Sequence, residues 1–60
     1  MMEEGKALIQ ICRQALGQFD QWVNGLKEDE IRAHFSRLSK IRAHLDAAAR
    51  ETEEVMRDLE

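Results

Sequence analysis

The chain has 60 residues, with nine Lys and Arg against twelve Asp and Glu, a formal net charge of −3, a hydrophobic fraction of 43 %, a single cysteine and no proline. This length supports one domain, 1–60, at most; one cysteine excludes an internal disulfide framework, and no apolar run approaches the ~20 residues needed to cross a bilayer. Acidic residues follow the opening methionines with no apolar signal segment, so a cytoplasmic, reducing compartment is expected. Ala, Leu, Arg, Glu, Gln and Lys dominate, which predicts an all-α chain. A domain of this size buries only about 60 % of the surface its unfolded chain exposes. Very regular helix packing or a partner must supply the remaining stability.

The first helix is predicted over about 3–24. Leu8, Cys12, Ala15, Phe19, Trp22 and Leu26 follow one another at alternating steps of four and three residues, the mark of a heptad seam. Ile9, Leu16 and Val23 recur every seven residues beside it, and Ile11 flanks the other side. The stripe is broader than a two-stranded seam and suits a three- or four-helix bundle. Gly17 falls on the outer face, at a cost of about 1 kcal/mol relative to Ala.

A turn is predicted over about 24–27. Gly25 is expected to end the helix in the left-handed conformation, with Leu26 as its apolar clasp. Glu28, Asp29 and Glu30 then place three acids in the first turn of the next helix, where the helix dipole favours them. A connection this short makes the neighbouring helices antiparallel.

The second helix is predicted over about 28–59, with a seam of Ile31, Phe35, Leu38, Arg42, Leu45, Ala49, Thr52, Met56 and Leu59. His34, Ile41, Ala48 and Val55 form a flanking row every seven residues. The second helix outruns the first, so Val55, Met56 and Leu59 are expected to overhang and to meet a partner. It ends without a C-cap glycine, a pattern that a piece of a longer protein also gives.

Charge is segregated. Residues 1–30 carry three basic and six acidic groups, 31–45 carry Arg32, Arg37, Lys40 and Arg42 with no acid, and 46–60 carry two basic and six acidic groups. A basic half followed by an acidic half favours antiparallel self-pairing, with second helices crossing near Ala48 and Arg42 set opposite Glu54 of the other chain. Exposed pairs of this kind select orientation more than they add stability. The expected architecture is an antiparallel helical hairpin that dimerises into a four-helix bundle. Its shared core is assigned to Leu8, Phe19, Trp22, Phe35, Leu38, Ile41 and Leu45.

No catalytic, metal or cofactor site is expected. His34 and His44 are ten residues apart with no ligand partner at helical spacing, Cys12 lies on the other helix, and zinc needs three or four convergent ligands. Ser36 and Ser39 have no base facing them. There is no glycine-rich phosphate loop and no concave pocket for a small-molecule substrate. The polar face of the first helix is rich in glutamine and poor in cations, which argues against a membrane surface. The expected function is a non-catalytic protein-interaction module: an adaptor, a small regulator or inhibitor, or an assembly or chaperone subunit. It would act through self-association or by docking on a partner helix. The alternative is nucleic-acid binding through Arg32, Arg37, Lys40 and Arg42. In architecture the chain resembles plasmid copy-control proteins of the Rop type, which implies RNA binding by a dimeric helical hairpin.

Overall fold

Apolar residues recurring three and four apart wind into three helices, α1 (Met2–Asn24), α2 (Glu28–Ala33) and α3 (Phe35–Leu59). A computed structural model describes residues 2–59, with side chains from Glu3 to Leu59. No strand occurs among the described residues. α1 and α3 lie side by side and antiparallel. Gly5 meets Met56, Arg13 pairs with Glu53 and Asp20 pairs with Arg42, so numbers rise along one helix as they fall along the other. The result is a slab 46 Å long and 9 Å thick. Its radius of gyration is 14.2 Å, against about 10 Å for a globular domain of this length.

α1 ends without a left-handed residue. The Gly25 N–H is shared between the carbonyls of Gln21 (3.3 Å) and Trp22 (3.1 Å), and the Leu26 N–H donates to the Val23 carbonyl at 3.0 Å. The last turn therefore tightens to three-residue spacing. No glycine has a positive φ, so the cap expected at Gly25 does not form.

α2 begins at Lys27, whose φ of −74° and ψ of 155° are those of an extended cap residue. An ammonium cannot accept a backbone N–H, so only half of a capping box is available. The Lys27 N–H donates to Glu30 Oε1 at 3.0 Å. The helix predicted over 28–59 is broken at His34, where φ is −119° and ψ is 17°. The ladder nearly survives the break: the His34 N–H reaches the Glu30 carbonyl at 3.2 Å, and the Leu38 N–H reaches that of His34 at 2.9 Å.

The seam between α1 and α3 selects one of the two apolar rows on α1. Ile9, Cys12, Leu16, Phe19, Val23 and Leu26 are half-buried, while Leu8 and Trp22, expected on the seam, are exposed. From the other side come Ile31, Leu38, Leu45, Ala49, Thr52 and Met56, as expected; Phe35, Arg42 and Leu59 are exposed instead. Thr52 sits half-buried in the seam because its hydroxyl donates to the Ala48 carbonyl at 2.7 Å. Among the described residues only Leu38 and Ala49 are buried, at 8 % and 3 % exposure. The expected overhang is corrected as well. α1 starts early enough for Gly5 to cover Met56, which is half-buried. Val55 and Leu59 remain exposed.

The three glycines make separable predictions, each read by thermal denaturation under circular dichroism. A Cβ at Gly17 meets nothing within 4 Å, so Gly17→Ala is expected to stabilise by about 1 kcal/mol. A Cβ at Gly25 lies 3.5 Å from the Trp22 carbonyl oxygen, an ordinary contact. Gly25→Ala is therefore neutral, or stabilising by about 0.4–1 kcal/mol; a loss would restore the left-handed cap. A Cβ at Gly5 comes within 2.7 Å of Met56 Sδ, so Gly5→Val lowers the melting temperature by displacing Met56.

Candidate interaction surface

The two long helices divide the slab into unlike faces. Each residue turns a helix by about 100°, so a side chain's position beside the seam follows from its number. On α1, Arg13 and Asp20 lie to one side of the seam, and Leu8, Ile11, Ala15 and Trp22 lie roughly 50–110° to the other. On α3, Arg42 and Glu53 lie to one side, and Ile41, Ala48, Val55 and Leu59 lie to the other. The ion pairs Arg13–Glu53 and Arg42–Asp20 join the helices on a common face. The remaining sides must then share the opposite face.

That opposite face is apolar. Leu8, Ile11, Trp22, Ile41, Val55 and Leu59 are all exposed, from 41 % for Ile41 to 72 % for Leu59. The antiparallel register levels Leu8 with Val55, Ala15 with Ala48, and Trp22 with Ile41. Large groups thus stand at both ends of the face, and the small Ala15 and Ala48 lie at its middle, one turn from Ile11. The Trp22 ring meets Phe19 edge-on, with centroids 5.8 Å apart and planes at 65°. Phe19 lies in the seam, so this contact braces the indole against the fold while leaving half of it exposed.

The polar face carries the ordering contacts. Arg42 reaches Asp20 with two nitrogens, Nε to Oδ1 at 3.2 Å and a terminal nitrogen to Oδ2 at 3.5 Å. Beside this pair, at the turn end, a cavity of about 160 Å³ opens between α1 and α3, lined by Phe19, Val23, Ile31, Phe35 and Leu38. Phe35 forms its exposed lip.

The residues assigned to the shared core therefore fall into two sets. Phe19, Leu38 and Leu45 lie in the seam, whereas Leu8, Trp22 and Ile41 lie on the apolar face and Phe35 at the cavity. Of the expected partner contacts, Val55 and Leu59 are on the apolar face and Met56 is covered by Gly5. The four cations do not gather. Arg32 pairs with Glu28 at 3.3 Å, and Arg42 is held by Asp20 on the polar face. Only Arg37 and Lys40 come together, in an open cleft of about 400 Å³ with His34 and Ser36. The sequence reading set Ile11 beside the seam and Ala15 on it; Ile11 is exposed on this face, and Ala15, half-buried, borders it. The seven-residue interval joining Leu8, Ala15 and Trp22 ties Ala15 to this row.

Among the described residues no three His, Cys, Asp or Glu side chains gather as metal ligands. No helix among them is long and apolar enough to cross a membrane. Neither protein-family models, nor curated proteins, nor solved structures match the chain.

Asp20 and Arg42 are both about half exposed, at 46 % and 53 % of their side chains. A double-mutant cycle of Asp20→Ala with Arg42→Ala is expected to give a coupling below about 1 kcal/mol. A larger value would mean that the pair is shielded from solvent.

Proposed function

We propose that the chain is a non-catalytic helical-hairpin interaction module. Its working surface is the apolar face formed by Leu8, Ile11, Trp22, Ile41, Val55 and Leu59. The observation that carries this reading is the segregation of the two faces: the interhelical ion pairs are on one side, and six large apolar groups are on the other. Scattered exposed hydrophobics are ordinary, but a contiguous apolar face rimmed by charge is a docking surface. A single bulky aromatic at one end, braced from behind, is the kind of anchor around which such surfaces concentrate their binding energy. The fitting roles are those of an adaptor, a small regulator or an assembly subunit that pairs with itself or with a partner helix. A cytoplasmic setting accords with the unpaired Cys12.

The second reading is nucleic-acid binding through the basic segment, and the cleft holding Arg37, Lys40, His34 and Ser36 favours it locally. It is the weaker reading. Arg32 and Arg42 are engaged with carboxylates, and the whole chain is acidic. Phosphate binding draws on unopposed cations.

Trp22 is the only tryptophan, so its fluorescence reports on this surface alone. The paired substitutions Ile11→Glu and Val55→Glu are expected to shift its emission to the red and to lower the thermal midpoint of helix unfolding. A salt-sensitive mobility shift with duplex RNA, lost in the Arg37→Gln, Lys40→Gln protein, would favour the second reading instead.

A further inference from the structure

The geometry points to a second copy of this chain as the occupant of the apolar face. It is bound antiparallel, with the twofold axis passing through the level of Ala15 and Ala48. This rests on the docking role of that face and adds the identity and orientation of the partner.

Area comes first. The chain exposes 5099 Å², where a folded monomer of 7.0 kDa exposes about 4,000 Å². The surplus, roughly 1,000 Å², is close to the ~800 Å² that each partner contributes to a standard interface. One further slab of the same size and shape removes that surplus from both chains at once.

Symmetry comes next. Ala15 lies midway between Leu8 and Trp22, seven residues from each, and Ala48 lies midway between Ile41 and Val55 at the same interval. The face is thus built about its own centre. A twofold axis there sets the two small layers against each other, where the helices approach most closely. It also sets the Trp22–Ile41 end of one chain over the Leu8–Val55 end of the other. Large meets large at both ends.

Charge fixes the direction. Along the outer edge of the apolar row on α3, Lys40 and His44 precede Ala48, and Glu51, Glu54 and Asp58 follow it. An antiparallel pair about Ala48 lays each basic edge along the other chain's acidic edge. Placing both turns at the same end brings neither edge to its complement. Such rim pairs set orientation while the apolar centre holds the pair together. Arg42, which the sequence reading set opposite Glu54 of the other chain, is not part of this rim, because Asp20 holds it on the far face.

The test uses the full chain with Cys12→Ser as background, so that any thiol is an introduced one. Sedimentation equilibrium at about 100 µM is expected to give twice the chain mass, a concentration at which an interface of standard size is occupied. Under mild oxidation, Ala48→Cys alone should give covalent dimers, because the axis brings that position next to its own copy. Trp22→Cys should cross-link with Leu8→Cys in a mixture of the two proteins and not with itself. Cross-linking of Trp22→Cys with Ile41→Cys between chains, without self-linking of Ala48→Cys, would overturn the antiparallel arrangement. A monomer at that concentration would overturn the second copy as occupant. In that event, apolar-dye binding that Leu8→Glu abolishes would leave the docking surface standing for another partner. Absence of dye binding would remove both claims.

Discussion

Two helices laid side by side can hide only one stripe of each from water. α1 and α3 each carry more than one. α1 has Ile9, Cys12, Leu16, Phe19 and Val23 turned inward, and Leu8, Ile11 and Trp22 in a second row beside them. α3 repeats the arrangement, with Leu38, Leu45 and Ala49 inside and Ile41, Val55 and Leu59 beside them. Burying a large aliphatic or aromatic side chain contributes about 1.5–3 kcal/mol. The rows left exposed are therefore comparable in worth to the rows already covered. The slab shape, the sparse interior of Leu38 and Ala49, and the docking role assigned to the bare face all follow from this imbalance.

The polar face shows how the choice between the two rows is made. A straightforward rotation of α1 about its axis would bring Leu8 and Trp22 into the seam and turn Ile9 and Val23 out. The ion pairs Arg13–Glu53 and Arg42–Asp20 oppose that rotation, since both bind the helices from one side. Each is exposed and weak alone. Acting at two levels they select a rotation, which is a smaller task than holding the helices together. Gly5 acts at a third level, where a side chain would collide with Met56.

Much of this was legible in the residues. The heptad steps gave the helices, the glycine at 25 gave the turn, and the apolar residues beside the seam showed a stripe too broad for two helices. Two things were not. Periodicity cannot say which of two adjacent rows faces the partner helix, because Leu8 and Ile9 differ by a rotation and not by pattern. The row that is chosen is the one compatible with ion pairs between residues forty and twenty-two positions apart, which periodicity does not display. Nor does the break at His34 carry a sequence signal. Neither glycine nor proline stands there, and the hydrogen-bond ladder resumes at Leu38. The second helix predicted over 28–59 is consequently two helices, Glu28–Ala33 and Phe35–Leu59.

If the bare face is part of the folded chain's core, folding and association are one equilibrium. The direct measurement is the thermal midpoint of helix unfolding, followed by circular dichroism through serial dilution. The account predicts a midpoint that falls steadily as the chain is diluted, because mass action then favours separated, unfolded chains. A midpoint that stays high and constant across the dilution series would contradict it, since two helices alone would then suffice.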